Sequence, residues 1–356
     1  MFRYGASRTG WGVAGAGAFG GEDKMDVQSW PEEKLAGQRL MAGFEGTRFT
    51  PGLRHLIADL EVGGLILFKR NVESPPQLAK LCRSAQRCAR DCGLPPLFIA
   101  IDQEGGPVAR LGPPFTQFPG NPPITNAAEA TRFAEITAAE LASVGINMDL
   151  APVLDVAPEG FDSVMIARAF GSDPDRVGRL GETVIDGLQS RGIMAVAKHF
   201  PGIGRTRLDS HLDLPVLDAD LSSLEDFDII PFRAAIEKQV AGVMLSHILY
   251  RRLDPQWPAS LSARIARGLL RNRLGFRGIV ITDDLEMGAI TRHYGFTSAI
   301  RQVLRADIDT ALICHSAEKV QTAHALMTRK IGGSAKRRGQ AESAAARIMT
   351  LKSRYL

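Results

Sequence analysis

The chain of 356 residues has an ordinary composition for a globular protein, with 45% hydrophobic and 23% charged residues. These values argue against a disordered, fibrous or membrane-spanning protein, and no apolar run is long enough to cross a bilayer. With 43 basic and 39 acidic residues, the formal net charge of +4 is too balanced to indicate nucleic-acid binding.

Residues 1–32 are rich in glycine and alanine and are interpreted as a flexible tail ahead of one folded domain at 33–356. GAGAFG at 15–20 has the spacing of a dinucleotide-binding motif, but that motif needs a strand before it and a helix after it. Neither pattern flanks it. Arg3 and Arg8 precede a mildly apolar stretch, as in a secretory signal, but its glycines weaken that pattern and no convincing cleavage site follows.

From about residue 33 onward, short apolar runs of strand length alternate with longer amphipathic stretches of helical period. The runs lie at 40–44, 64–68, 97–101, 147–156, 194–200, 241–248, 278–284 and 310–315. Eight such βα units predict an α/β protein, a single-domain (β/α)8 barrel of the TIM type, which has a typical size of about 250 residues. An open doubly wound sheet is the alternative, but it would leave several runs without a place.

The end of the chain carries a dense basic run, RKIGGSAKRRGQ at 329–340, which indicates a basic C-terminal helix. A solvated helix end takes precedence over a phosphate site as its interpretation. Cys82, Cys88 and Cys92 lie in a predicted helix and Cys314 lies in an apolar run, a spacing that fits neither a zinc site nor a disulfide framework. Reduced thiols with packing roles, and a cytoplasmic location, are therefore expected.

Polar, mostly ionisable side chains follow six of the eight predicted strands. In a barrel of this type the carboxyl ends of the strands form the active-site mouth. The residues at these ends are Asp102, Gln103, Glu104, Asp149, Asp155, Lys198, His199, His247, Asp283, Asp284 and His315. One such residue alone is more often a hydrogen-bonded structural group, but the set indicates general acid/base and nucleophilic chemistry. Because no H-x-H pair occurs, metal-free catalysis ranks above metal-assisted hydrolysis.

The motifs KHFPGIG (198–204) and DSH (209–211), with GGLILFKRN, IDQEGGPVARL, ARAFGSDP and GIVITDDLEMGA in that order, resemble glycoside hydrolase family 3 β-N-acetylhexosaminidases. The resemblance covers nearly all of residues 35–320 and is to the single-domain bacterial cell-wall-recycling type. It implies a retaining exo-β-N-acetylglucosaminidase that acts on GlcNAc-anhydroMurNAc (muropeptide) fragments through a glycosyl-enzyme. A small carbohydrate is then the expected partner, with no cofactor, metal, nucleic acid or membrane; the oligomeric state stays open.

The resemblance also implies residue roles. Asp283 is the expected nucleophile, His211 the acid/base and Asp209 the partner of His211. The expected substrate-binding residues are Asp102, Arg110, Arg168, Lys198 and His199. An imidazole with a reference pKa of about 6.5 can donate and then accept a proton near neutral pH. Asp283 must instead stay ionised, and a cation such as Lys198 would keep its pKa low.

The sequence departs from the family pattern beside the sugar-binding loops. Ile203 stands where the family usually has a histidine, and Ile166 and Ala167 stand where it usually has Gly-Asp. Two alternatives stay open: a β-glucosidase on the same barrel, and a non-catalytic GlcNAc-binding protein, which these departures would favour. The complete set of Asp209, His211 and Asp283 favours the enzyme.

Overall fold

The computed structural model describes residues 27–210 and 212–356 and has a closed eight-stranded parallel barrel at its centre. All eight apolar runs supply its strands. In chain order these are β1 (Leu40–Ala42), β2 (Gly64–Leu67), β3 (Phe98–Ile101), β4 (Met148–Asp149), β5 (Met194–Phe200), β6 (Gly242–Leu245), β7 (Ile279–Asp284) and β8 (Thr310–Ile313). Strands adjacent in sequence pair, and β8 closes on β1 with Ala311 opposite Leu40. The predicted (β/α)8 barrel is therefore confirmed, and the open sheet is wrong.

Helices follow the strands and cover the barrel. They are α1 (Glu32–Gly37), α2 (Pro51–Ala58), α3 (Pro75–Asp91), α4 (Ala127–Ser143), α5 (Pro174–Gln189), α6 (Leu221–Ser223), α7 (Ile230–Glu237), α8 (Gly288–Thr291), α9 (Phe296–Ala306), α10 (Ala317–Gly332) and α11 (Ala335–Tyr355). Two π-helical segments, Leu224–Asp228 and Arg264–Arg273, complete the layer after β5 and β6. The sequence marks several starts: Ser74 caps α3, with proline in the first turn. Among the described helices, none is long and apolar enough to span a membrane.

Strand β4 is much shorter than the apolar run at 147–156 predicted. Regular pairing ends at Asp149, and only an isolated bridge between Val153 and Lys198 follows. Pro152 has no N–H to donate, so the run cannot continue as a regular central strand. Its second half carries Asp155 to the mouth of the barrel, where this carboxylate accepts hydrogen bonds from the backbone N–H of His199.

Packing against the barrel begins earlier than the predicted domain boundary at residues 32 and 33. Val27–Ser29 form a 3-10 turn, and Trp30 is buried in the main hydrophobic core. Arg338 of α11 donates to the carbonyl of Trp30 at 3.0 Å. Residues 27–32 therefore belong to the packed domain, while GAGAFG at 15–20 lies outside the described residues.

The C-terminal helix α11 closes the amino end of the barrel. Its Ile348 and Leu351 belong to the same apolar cluster as the inward-facing barrel residues Met41, Met194 and Ile279. A (β/α)8 barrel interior is normally a packed core and not a channel, and the cluster fills this one. The barrel is therefore sealed at one end.

One lysine of α11 is buried where this helix meets the barrel. Lys352 is 1% exposed; its Nζ donates to Gln38 Oε1 at 2.8 Å and lies 5.0 Å from the ring centre of Phe98. Burial lowers the pKa of Lys352 to about 7, and the neighbouring charge of Lys34 acts in the same direction. A substantial fraction of Lys352 side chains is therefore neutral at neutral pH.

Replacing Lys352 with methionine is expected to stabilise the protein, and more so at low pH. A lysine in the unfolded chain has a pKa of about 10.4. The folded state thus binds fewer protons between about pH 7 and 10, so wild-type stability rises with pH there, and the cost of burying the charge is fully present below pH 7. Allowing for the unpaired Gln38 oxygen, we expect a gain of about 1–3 kcal/mol at pH 6.

Urea unfolding at pH 6 and pH 9 checks this expectation. The gap between Lys352→Met and wild type should shrink at pH 9. The exposed Lys336 of the same helix offers a matched control, and Lys336→Met should leave stability unchanged at both pH values. An equal gap for Lys352→Met at both pH values would contradict the assignment of a depressed pKa.

Candidate active site

A cavity of about 460 Å³ opens at the carboxyl ends of the barrel strands. Six residues expected to form the site line it: Asp102, Arg110, Arg168, Lys198, His199 and Asp283. Its apolar floor includes Ile66, Leu150, Met244 and Leu312, which also belong to the packed barrel interior. These six side chains come from four separate stretches of sequence and share one cavity. Asp102, Lys198, His199 and Asp283 were expected there from their strand ends, and Arg110 and Arg168 from the resemblance alone.

A short hairpin after β3 brings Arg110 onto Asp102. The segment Gln103–Gly105 pairs antiparallel with Val108–Ala109, and the guanidinium of Arg110 donates to Asp102 Oδ2 at 3.0 Å. The turn needs glycine, because Gly106 has φ +58° and a Cβ there would lie 2.8 Å from the carbonyl oxygen of Pro119. Local chain geometry thus sets the first charged pair of the site.

Lys198 joins two carboxylates at the bottom of the cavity. Its Nζ lies 2.6 Å from Asp102 Oδ1 and 2.6 Å from Glu104 Oε1, and Arg168 donates two hydrogen bonds to Glu104. Burial opposes the charge on Asp102 and Glu104, but Lys198 outweighs it, helped by Arg110 and Arg168, and the pKa of each carboxyl lies below its usual value. Burial likewise opposes the ammonium, yet both carboxylates raise the pKa of Lys198. The cluster is therefore fully ionised at neutral pH.

Two carboxylates that sequence analysis left out of the binding set hold its members in place. Glu104 anchors Lys198 and Arg168, as described above. Asp155 accepts a hydrogen bond from His199 Nδ1 at 2.7 Å and from the N–H of Ile203 at 2.8 Å. Their position at strand ends was the available sequence signal, but it did not reveal which cation each one contacts.

Asp283 at the end of β7 has the electrostatic environment of an anion. Its Oδ1 accepts the backbone N–H of Asp284 at 2.8 Å. Burial is the largest single effect and would raise its pKa, but His247, His199 and the N–H of Asp284 act together in the opposite direction, and the pKa of Asp283 lies below the ordinary value. Lys198 acts in the expected direction, but its effect is smaller than that of the two imidazoles.

The neighbouring Asp284 has the opposite tendency. Burial raises the pKa of Asp284 to about 7, and the charges of Glu286 and Asp283 add to the increase. In many active sites, the surroundings give two neighbouring carboxyl groups different pKa values, so that one is protonated while the other is ionised. Of the two aspartates in TDDLEM, Asp283 is therefore the one suited to act as a nucleophile.

His247, expected in the ring at the mouth, is instead buried behind Asp283. It is 1% exposed; one ring nitrogen lies 2.6 Å from Ser260 Oγ, and the other lies 2.8 Å from the carbonyl oxygen of Asp284. The contact with that carbonyl holds the strand end that carries Asp283. His247 is thus a candidate positioning residue and not a substrate contact.

The loop after β5 brings Asp209 to the edge of the site. Asp209, His199, Ile203 and Asp283 line a smaller cavity of about 70 Å³. The carbonyl of Ser210 accepts the N–H of Ala289 at 3.1 Å, which ties this loop to α8, the helix that follows β7. His211 lies outside the described residues, so the Asp209–His211 pair stays a prediction.

The residues that depart from the family pattern lie on the same side of the site. Ile203 is 8% exposed and lines the smaller cavity, while Ile166 is 54% exposed on the loop before Arg168.

Across residues 27–210 and 212–356, no three His, Cys, Asp or Glu side chains come together in a way that could hold a metal ion.

Comparison with known proteins places this barrel and site in a family. Residues 32–351 match the glycosyl hydrolase family 3 N terminal domain. The β-hexosaminidase of Nitrosomonas eutropha is 37% identical over 288 residues, which cover 78% of this chain and 80% of that protein.

Solved structures agree with this match. A glycoside hydrolase family 3 β-N-acetylglucosaminidase from Paenibacillus sp. str. FPU-7 aligns with a TM-score of 0.87 and 37% identity, over 91% of this chain and 62% of that longer chain. NagZ from Neisseria gonorrhoeae, in complex with N-trifluoroacetyl-D-glucosamine, aligns with a TM-score of 0.72 and 28% identity, over 87% of this chain and 98% of that chain.

The protein is thus a glycoside hydrolase, as the fold, the charged cavity and the match over most of the chain together require. It belongs to glycoside hydrolase family 3, and the barrel corresponds to the N-terminal domain of that family. The family expected from the sequence motifs is confirmed.

Proposed function

We propose that the protein is a retaining exo-β-N-acetylglucosaminidase that removes terminal β-linked GlcNAc by double displacement. The observation that carries this proposal is an ionised Asp283 facing the Asp102–Lys198–Glu104 cluster across a cavity with a closed floor. Such a cavity accommodates the end of a sugar chain and not its middle. The hexosaminidase names of the relatives support the N-acetyl specificity.

In such a reaction the residues of the cavity would have separate roles in binding, nucleophilic attack and proton transfer. Asp102, Lys198 and His199 are positioned to hydrogen-bond the hydroxyls of the terminal sugar. Asp283 Oδ1 is occupied by the N–H of Asp284, so Oδ2 is the atom placed to attack the anomeric carbon. As that bond forms, the glycosidic C–O bond breaks and the leaving oxygen takes a proton from the acid, for which His211 is the candidate.

The second displacement reverses these roles. Water attacks the anomeric carbon, its proton passes to the same base, and the Asp283 carboxylate is released with net retention. Ionisation of Asp283 at neutral pH serves both steps, because a carboxylate is needed as nucleophile first and as leaving group later.

The natural substrate and the location are further parts of the proposal. GlcNAc-anhydroMurNAc fragments of peptidoglycan are the proposed substrates, in line with the motifs shared with cell-wall-recycling enzymes and with the NagZ neighbour. A cytoplasmic location is supported by four cysteines that form no disulfide. Under this proposal the partner is a small carbohydrate, not a nucleic acid or a membrane.

Turnover of paired chromogenic substrates tests the activity. We expect 4-nitrophenyl β-N-acetylglucosaminide to be cleaved at least about 100-fold more efficiently than the β-glucoside, because a site built to bind an amide discriminates strongly against a substrate that lacks it. EDTA should leave the rate unchanged. A preference for the β-glucoside would favour the β-glucosidase alternative, and GlcNAc binding without turnover would favour the non-catalytic alternative.

A further inference from the structure

The strand that carries Asp283 is irregular at the position of this residue. On the β8 side, Ile281 lies opposite Thr310. The next pair joins Asp284 to Leu312, so β7 contains one residue more than β8 between the two pairs. Pairing with β6 on the other side shows no such irregularity. An insertion of this kind is a β-bulge, which bends the strand and changes the direction of a side chain.

The bulge accounts for the position of Asp283. Side chains along a regular strand point alternately to opposite faces, so two consecutive residues would not both reach one cavity. Asp283 and Asp284 nevertheless both line the cavity of about 460 Å³. The additional residue in β7 breaks the alternation at this point and lets Asp283 face the site while Asp284 remains beside it.

Thr282 holds the bulge from the β8 side. Its side chain is buried, and its Oγ1 accepts the backbone N–H of Leu312 at 3.0 Å. Because a bulge disrupts the regular ladder of backbone hydrogen bonds, a side-chain acceptor here helps to fix the distance between the two strands. Thr282 immediately precedes Asp283, so this contact restricts the backbone position of the proposed nucleophile.

Ser260 and His247 hold the bulge from the β6 side. A carbonyl oxygen only accepts hydrogen bonds, so His247 Nε2, which lies 2.8 Å from the carbonyl oxygen of Asp284, carries a hydrogen in every protonation state of the ring. His247 Nδ1 lies 2.6 Å from Ser260 Oγ, and both side chains are buried. Ser260 thus fixes the plane of the imidazole, and the imidazole fixes the backbone of the residue that follows Asp283.

We propose that Thr282, His247 and Ser260 are positioning residues that hold the bulge, so that Asp283 meets the anomeric carbon in the orientation needed for attack. This inference rests on the proposed reaction, in which Asp283 forms a bond to that carbon in the first step and releases it in the second. None of the three side chains lines the cavity of about 460 Å³. Their loss should therefore slow the chemical steps more than it weakens sugar binding.

Substitution of Thr282 tests the β8 side of the bulge. Thr282→Val keeps the branched shape and removes the acceptor for the N–H of Leu312. We expect kcat for 4-nitrophenyl β-N-acetylglucosaminide to fall about 10- to 100-fold, with KM within about threefold of wild type. Thr282→Ser restores the hydroxyl group, and its kcat should stay within about threefold of wild type.

Thr310→Val is the matched control for Thr282→Val. Thr310 is a buried threonine on the neighbouring strand β8, and its hydroxyl group has no hydrogen-bond partner among the described residues. The same change of side chain therefore removes no contact at the bulge, and kcat should keep its wild-type value.

A pair of serines tests the β6 side of the bulge. Ser260 and Ser262 are both buried, and Ser262 Oγ lies 2.6 Å from Asp254 Oδ2, the same distance that separates Ser260 Oγ from His247. Each alanine substitution removes a buried hydrogen bond and should lower the thermal unfolding midpoint. Only Ser260→Ala should also lower kcat, by about three- to tenfold, because only Ser260 contacts the imidazole that holds the bulge.

The outcomes separate this inference from the proposed function. If wild type cleaves no N-acetylglucosaminide, both fall. If wild type cleaves it and the two substitutions at the bulge lower kcat no more than their controls do, the enzyme stands and the positioning role is overturned. A loss of kcat confined to Thr282→Val and Ser260→Ala, with Thr282→Ser active, supports the role. Should Thr282→Val fail to fold, the comparison of the two serine variants decides.

Discussion

Asp283→Asn should lower kcat for 4-nitrophenyl β-N-acetylglucosaminide by at least about 10³-fold and leave the fold intact. The amide has nearly the same size and keeps an oxygen to accept the N–H of Asp284, but it is a very poor nucleophile. The depressed pKa of Asp283 means that the substitution removes a charge that is present at neutral pH. Steady-state kinetics and the thermal unfolding midpoint together provide the measurement.

Asp284→Asn is the matched control for this result. Because the pKa of Asp284 is raised to about 7, its carboxyl group is largely protonated below that pH and asparagine resembles it. We expect activity within about tenfold of wild type at pH 6. If Asp284→Asn lost activity and Asp283→Asn kept it, the assignment of the nucleophile would be wrong.

Lys198→Met should weaken both the fold and sugar binding. Removal of the ammonium leaves Asp102 and Glu104 crowded at the bottom of the cavity with only the two arginines for compensation, which we expect to cost about 3–5 kcal/mol at pH 7. The pKa values of Asp102 and Glu104 are depressed in the wild-type fold. Their stabilising contribution is therefore present above about pH 4 and is lost as the pH falls below it.

Urea unfolding of Lys198→Met and wild type at pH 7 and pH 3 checks this expectation. The difference should be large at pH 7 and smaller at pH 3, and KM should rise about 100-fold or more. Lys336→Met, on the exposed face of α11, controls for the loss of one positive charge. A destabilisation that does not depend on pH would point to lost packing and not to the carboxylates.

The barrel could be predicted because its signal is local and repeated. Each apolar run predicts one strand. Eight such runs that alternate with helical stretches are compatible with few folds. The prediction was least accurate at 147–156, where Pro152 ends the regular pairing that the hydrophobic pattern alone would extend. The start of the domain was also placed too late, because Trp30 is a single buried side chain in a segment with no periodic pattern.

The sequence predicted which side chains would line the cavity better than it predicted the contacts between them. Asp102, Lys198 and Asp283 lie where their strand ends indicated. The contacts of Glu104 depend on a glycine turn, and those of Asp155 depend on the path of the chain beyond Pro152. Neither feature can be predicted from the spacing of residues along the sequence. The opposite pKa shifts of Asp283 and Asp284 likewise arise from burial and from His247, which only the folded chain brings close.

The sealed end of the barrel has a consequence for the order of events. Below the cavity the interior is filled by side chains such as Met148 and Met194, and α11 closes the far end. Substrate must enter, and both products must leave, through one opening. In the proposed reaction the leaving group lies nearer that opening and departs before water arrives, while GlcNAc at the bottom departs last. Accumulated GlcNAc then occupies the empty enzyme and delays the next substrate, so the fold itself links the rate of cleavage to how fast the sugar is consumed elsewhere.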